Sequence, residues 1–201
     1  MKTLGITGGI GSGKSYVSHI LTSQYGIPVY DCDTEAKRLN EESPIIRQAL
    51  LQLVGEDVYD SQGHLHKATL AGYLFQDTEH QQAVNAIIHP VVRQDFHQWC
   101  QRQDSPLVAL ESAILHESGF SDLADTILTV TAPPELRIQR AIQRDGTTAE
   151  QVERRIRLQM PDEERIAKSH YVIHNDGQPL QPQIEELLSQ ILKLEEGITN
   201  S

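Results

Sequence analysis

The sequence predicts an α/β protein: a five-stranded parallel sheet between two helical layers, a three-layer α/β/α arrangement. Three observations predict it. Short apolar runs alternate with stretches of helical periodicity, which calls for a sheet covered on both faces. The first run passes through a glycine-rich loop straight into a helix. Four of the runs end in residues with polar chemistry, Thr7, Asp31, Glu111 and Thr131. Ligands of such sheets collect at the carboxyl ends of the strands, so these four residues are expected to border one site.

Taken in order, Lys2 to Thr7 reads as a buried strand. Lys14 to about Gln24 reads as a helix with Val17, Ile20 and Leu21 on one face, closed by Tyr25-Gly26. Ile27 to Tyr30 is a second short strand leading into Asp31-Cys32-Asp33. Up to about Gln103 the pattern is helical, with Leu50, Leu51, Leu53 and Val54 in one segment and a turn at Asp60 to Gly63. Lys67 to Phe75 and Thr78 to Cys100 are further helices, the second expected to break at His89-Pro90. Leu107 to Leu110 and Thr126 to Thr131 are strands three and four. Helices follow over Glu135 to Arg144 and Thr148 to Gln159, where Thr148 and Gln151 form a capping-box pattern. Tyr171 to Ile173 is the fifth strand, and about Pro182 to Leu194 the last helix, with Ile184, Leu187, Leu188 and Ile191 on one face.

The loop after the first strand reads T-G-G-I-G-S-G-K-S-Y, Thr7 to Tyr16, and contains G-x-x-x-x-G-K-S with Gly8, Gly13, Lys14 and Ser15 in the fixed places. Strand, glycine loop and helix together are the context of a nucleotide phosphate cradle. Glycines let successive backbone N–H groups point into one concave space. The helix start adds its positive dipole end. Lys14 is placed to reach the β and γ phosphates, and Ser15 to hold magnesium through its hydroxyl. The plain alternative is a glycine-rich turn.

The composition is that of an ordinary globular protein, 38% hydrophobic and 22% charged. No apolar run is long enough to span a membrane, and no signal peptide is expected. Cys32 and Cys100 match no metal spacing and suggest no disulfide, so a reducing cytoplasm is the expected location. The net charge of -11 argues against general nucleic-acid binding. Positive charge is nonetheless concentrated at Arg137, Arg140, Arg144, Arg154, Arg155, Arg157, Arg165 and Lys168. Glu150, Glu153, Asp162, Glu163 and Glu164 are interleaved, so most of this section reads as a solvated helix face with ion pairs.

Asp31 and Asp33 end the second strand. Either can accept a proton from an attacking hydroxyl or hold magnesium through water, and position favours Asp33 as the base. The competing role is capping of a helix that starts near Thr34. No D-x-x-G magnesium motif follows a predicted strand and no N-K-x-D guanine motif is present, so a GTPase is not indicated, and the chain is short for a large ATPase. What remains is a small kinase. Its core is expected at 1–33, 104–135 and 168–201, an acceptor-binding helical insert at about 34–103, and an arginine-bearing lid at about 136–167. A lid stabilises the charge of the transferring phosphoryl and excludes water as a competing acceptor.

Several segments in chain order resemble the dephospho-coenzyme A kinases. They are G-I-T-G-G-I-G-S-G-K-S at Gly5, the D-x-D of Asp31 and Asp33, and A-I-I-H-P-V-V around His89. R-A-I-Q-R-D-G-T-T-A-E-Q-V-E-R-R-I-R-L-Q from Arg140 and Y-V-I-H-N-D-G from Tyr171 complete the set. The resemblance implies transfer of the γ-phosphoryl of ATP, with Mg2+, to the ribose 3′-hydroxyl of dephospho-coenzyme A. On that basis Gly8 and Gly11 to Tyr16 (Gly11, Ser12, Gly13, Lys14, Ser15, Tyr16) hold the ATP phosphates. Ser15 and Asp31 serve the metal, Asp33 is the base with Asp31 beside it, and Arg140 and Arg144 are lid arginines. Asn175 and Gly177 border the adenine, and His89 with the inserted helices meets the acceptor. Arg155 and Gln159 match the end of the lid pattern without an assigned role. One departure is V-A-L-E-S-A-I-L, where many relatives carry proline and leucines. Glu111 there serves the metal shell or shapes the acceptor pocket. Two other readings stay open: another small P-loop kinase with a different acceptor, and an ATP-sensing module without catalysis. The presence of Asp31, Asp33, Arg140 and Arg144 weighs against the latter.

Overall fold

The computed structural model describes residues 1–196; the last five residues of the expected core, 197–201, lie outside them. The chain runs β1 (Lys2–Thr7), α1 (Lys14–Tyr25), β2 (Val29–Asp31), α2 (Cys32–Glu42), α3 (Pro44–Val54), α4 (Lys67–Leu74) and α5 (Thr78–Cys100). It continues through β3 (Leu107–Glu111), β4 (Thr126–Thr131), α6 (Pro134–Asp145), α7 (Ala149–Arg157), α8 (Asp162–Ala167), β5 (Tyr171–His174) and α9 (Gln181–Glu196). Two compact units emerge: Tyr30–Asp104, and Met1–Val29 together with the chain from Ser105 onward.

The strand order of the sheet is β2-β3-β1-β4-β5, and within the larger unit β3, β1, β4 and β5 pair in parallel. β1 is the central strand, buried from Thr3 to Thr7, with Leu4 and Ile6 fully enclosed. From β1 the chain goes first toward β2 and β3 and later to β4 and β5 on the other side. That reversal opens a crevice at the carboxyl end of β1. The register sets Ile6 beside Glu111 and Thr7 beside Thr129, so both neighbours end next to the glycine loop. Every residue of β3 is buried, as expected of a strand covered on both faces. On one face Val17, Ile20 and Leu21 of α1 and Ile184, Leu187, Leu188 and Ile191 of α9 pack on Leu4, Ile6, Leu128 and Val130. Each such side chain contributes on the order of 1.5–3 kcal/mol relative to exposure.

β2 begins two residues later than the sequence predicts. Ile27 donates its N–H to Leu21 and so closes α1 after the left-handed Gly26, and Pro28 has no N–H to give a ladder. Thr148 caps α7 through Gln151 N–H as expected, but the Gln151 side chain accepts from Thr147 instead of returning to the cap. The short helix α8 has no counterpart in the sequence reading.

In the unit Tyr30–Asp104, α5 packs against α2, α3 and α4. The expected break at Pro90 is absent: α5 is continuous over Thr78–Cys100. Val84, Val92, Phe96 and Cys100 fall on one buried face and hold both halves in line. The ring points to solvent, and the carbonyl it deprives of a partner belongs to exposed Ala86, where water can satisfy it. Tyr30 is buried against the rings of Phe96 and Trp99, and its hydroxyl donates to Asp95 at 2.7 Å.

Candidate active site

The glycine loop follows directly from β1. Gly13 takes φ 93° and caps α1, whose first turn carries no acidic residue that would compete with an anion for the helix dipole. Gly11 takes φ 75°, and a Cβ there would lie 2.1 Å from the Arg137 carbonyl oxygen. A side chain at either position would therefore deform the loop. A cavity of about 200 Å³ is lined by Gly9, Gly11, Gly13, Lys14, Ser15, Tyr16, Arg140, Ala141 and Arg144. A neighbouring cavity of about 350 Å³ also uses Tyr16, with Ile20, Asn175, Gly177 and Leu180 among its walls. A larger concavity of about 580 Å³ runs along α6 from Glu135 to Gln143, and none of the predicted site residues lines it.

Beside the loop, Ser15 donates its hydroxyl to Glu111 Oε1 at 2.6 Å, and Lys14 Nζ lies 3.9 Å from the same oxygen. Glu111 is only 4% exposed, so Lys14 and Ser15 compensate the cost of its buried charge. Asn175 joins three elements. Its backbone N–H donates to Thr131, its side-chain amide donates to Ser12 O at 2.9 Å, and its Oδ1 accepts from Arg140. Arg140 also donates to the Asn175 carbonyl at 3.1 Å. Arg144 grips Asp145 with two hydrogen bonds of 2.7 and 3.1 Å, and Arg155 donates to the same carboxylate at 2.7 Å. These guanidinium groups, Arg144 first, hold the Asp145 carboxyl far below the usual carboxylate range. A cleft lined by a glycine loop at a helix N-terminus, a lysine, a hydroxyl beside a carboxylate and two arginines is suited to phosphoryl transfer.

The family model for dephospho-CoA kinase matches residues 2–181 of this chain. The chain belongs to the dephospho-CoA kinase family. Among curated dephospho-CoA kinases, that of Bacteroides fragilis is 50% identical over 188 residues, covering 92% of this chain and 91% of the relative. That of Porphyromonas gingivalis is 46% identical and covers 95% of each. A crystal structure from Thermus thermophilus superposes with a TM-score of 0.83 at 36% identity, covering 94% of this chain and 97% of that one.

The structure brings Gly8, Gly11, Ser12, Gly13, Lys14, Ser15, Tyr16, Arg140, Arg144, Asn175 and Gly177 onto the loop and the elements around it. Three predicted residues of this family member belong to the unit Tyr30–Asp104. Asp31 is the N-cap of α2: it accepts from the N–H groups of Asp33 and Thr34 and from the Thr34 hydroxyl. The capping role thus falls to Asp31, and Asp33 sits in the first turn of α2, exposed, without a side-chain partner among the described residues. His89 is half-buried in α5; burial and then Arg93 push its pKa below the ordinary histidine value. Among the described residues no helix is long and apolar enough to cross a membrane, no cluster of three His, Cys, Asp or Glu is poised for a metal, and both cysteines are buried outside any disulfide.

Sequence reasoning missed three residues that hold the loop from outside. Arg137 is 4% exposed and donates through Nε to the Ile10 carbonyl at 3.0 Å. Asp162 pairs with both Arg137 and Arg165. Gln159 accepts the Ile10 N–H at 2.8 Å. For Gln159 the signal was its place in the lid pattern. For Arg137 the one signal was its spacing, one turn before Arg140 on the same helix face.

Proposed function

We propose that this chain, an ATP-dependent dephospho-CoA kinase, works by positioning ATP in the loop cavity and passing the γ-phosphoryl to the ribose 3′-hydroxyl of dephospho-CoA. The observation that carries the reading is the meeting of Lys14, Ser15 and Glu111 at the head of α1 inside a chain matched by the family model over residues 2–181. Lys14 neutralises β and γ charge, and the loop N–H groups orient the phosphates. Tyr16, Asn175 and Gly177 line the second cavity, which suits the adenosine end of ATP. Arg140 and Arg144 line the phosphate cavity and supply charge to the transferring group. Asp33, with no side-chain partner among the described residues, is free to take the proton of the attacking hydroxyl. Asp31 fixes the turn on which Asp33 stands. The unit Tyr30–Asp104, with His89, supplies the acceptor contacts.

The residues present fit magnesium. A hard cation takes oxygen ligands, usually one or two protein groups plus substrate phosphates, and the Ser15 hydroxyl and Glu111 carboxylate meet at 2.6 Å. Bound there, magnesium would screen the charge that develops on the phosphate oxygens.

A coupled assay for ADP release tests the function, with the product's phosphate position assigned by phosphorus NMR. ADP release that requires dephospho-CoA, with phosphate at the 3′ position, is expected. Release that ignores the acceptor, or phosphate elsewhere on the product, sinks the proposal.

A further inference from the structure

The motif defines the second half of the phosphate loop, but its first half, Gly9 to Gly11, is held by residues far along the chain. Ile10 donates its N–H to Gln159 Oε1 at 2.8 Å, and its carbonyl accepts from Arg137 Nε at 3.0 Å. Its side chain is buried with Ala141 and Val152, against Ile138, Ile142 and Ile156. Arg137 in turn is fixed by Asp162, which also takes Arg165, a fully buried arginine that donates to the Met160 carbonyl at 2.7 Å. Contact with α6 is close: a Cβ on Gly9 would come within 2.1 Å of an Arg137 Nη atom.

A trans peptide is planar, so a carbonyl and the following N–H point in opposite directions. Holding the Ile10 carbonyl on Arg137 therefore directs the Gly11 N–H away from that guanidinium. Likewise the Gly9–Ile10 peptide is held at both ends, its N–H by Gln159 and its carbonyl by the Ser12 N–H at 3.0 Å. Without these holds the two peptides, flanked by glycines, could flip at small cost, because glycine accepts either sign of φ. A phosphate cradle works only while its N–H groups converge.

We propose that Arg137 is a positioning residue for ATP: held by Asp162 and aided by Gln159, it sets the orientation of the Gly9–Ile10 and Ile10–Gly11 peptides. Arg140 and Arg144 lie one and two turns further along the same helix and line the cavity. The helix that shapes the cradle is thus the one that carries the arginines over it. A displacement of α6–α8 would disturb the phosphate donors as well as the arginines. This inference rests on the reading of the loop as the ATP site.

The test is calorimetric titration of ATP into full-length wild type, Arg137→Gln, Arg137→Lys and Gln159→Leu, with steady-state kinetics for both substrates and a thermal melt for each. Arg137→Gln is expected to weaken ATP binding about tenfold or more, the loss that follows when a charge-assisted hydrogen bond no longer holds a binding element. KM for dephospho-CoA should stay within about twofold, because that substrate does not depend on these two peptides. Arg137→Lys, which keeps the charge for Asp162, should recover part of the loss, and Gln159→Leu should fall between it and wild type. ATP affinity within about twofold of wild type in every variant overturns the proposal, as does a loss shared equally by both substrates and by the melting temperature. Should Arg137→Gln fail to fold, Gln159→Leu decides alone on the same criteria. A wild type with no acceptor-dependent turnover would sink the kinase function instead, while the ATP titrations would still decide the role of Arg137.

Discussion

Around β1 the polar groups of the site already have protein partners: Ser15 has Glu111, Asn175 has Ser12 and Arg140, and Ile10 has Arg137 and Gln159. In the unit Tyr30–Asp104 the candidate base, Asp33, has no side-chain partner among the described residues, while its neighbour Asp31 is fully engaged in capping α2. The difference follows from the two tasks. Binding a polyphosphate requires many donors fixed in advance, since reorganising them would cost affinity. A general base must keep its lone pairs free for the proton it takes. Substitutions on the phosphate side should therefore affect ATP binding and stability together, and substitution of Asp33 should affect turnover alone.

The strongest attempt to break that contrast is Asp33→Asn. Removing a general base is expected to lower turnover about 10²–10⁴-fold. The loss in unfolding free energy should stay under about 1 kcal/mol, the worth of a carboxylate in the first turn of a helix. Normal acceptor-dependent turnover in this variant would assign the base elsewhere, and a large loss of stability would erase the contrast. Next in size is Glu111→Gln. A neutral amide beside Ser15 is a poorer partner for a hard cation, and Mg2+ affinity should fall about 10–100-fold as partners of a metal-bound group are lost. The measurement is turnover against free Mg2+, paired with direct titration of Mg2+ into the ATP-loaded protein. An unchanged Mg2+ dependence would restrict Glu111 to holding Ser15 and Lys14. Asn175→Ala sharpens the phosphate side. It leaves the Ser12 carbonyl without its donor and should cost about 1–3 kcal/mol in urea unfolding. It should also raise KM for ATP but not for dephospho-CoA. If stability fell while KM for ATP held, the bonds of Asn175 would serve only the fold.

These residues differ in how far they could be read from the sequence. β1, β4 and the start of α1 depend on local pattern: a short continuously buried run, a glycine at positive φ, a helix N-terminus. Their predicted limits match, and so does the placement of Lys14 and Ser15. The error at Pro90 was one of weighting, since a local penalty was overridden by four buried residues spread along α5. The hold on Ile10 was not legible because its partners lie more than a hundred residues away. Arg137 and Arg165 look in sequence like Arg154, Arg155 and Arg157, amid the same interleaved acids. Yet the first two are buried and the last three exposed. Charge spacing states which residues can pair along a helix, but which helix face is covered depends on what packs against it.

The smallest expected effect concerns His89 and the stability of the Tyr30–Asp104 unit under acid. Burial and then Arg93 set the folded-state pKa of His89 below the ordinary value of 6.5. At pH values near and below 6.5 the unfolded chain therefore binds more protons at this position than the folded chain does. Stability from this residue is complete above pH 6.5 and declines as pH falls through the folded-state pKa. His116, also lowered chiefly by burial, contributes in the same direction. His89→Gln removes one of these two titrations, so its unfolding free energy should fall less steeply between pH 7.5 and pH 5 than that of the wild type. Urea unfolding at a series of pH values, with the same buffer ions throughout, reads the difference in slope directly. Identical slopes would mean that protonation of His89 costs the folded state nothing, and that Arg93 and the surrounding burial do not oppose its charge. A flatter slope combined with an unchanged KM for dephospho-CoA would mark His89 as a residue of the helical packing. A flatter slope with a raised KM would place it among the acceptor contacts.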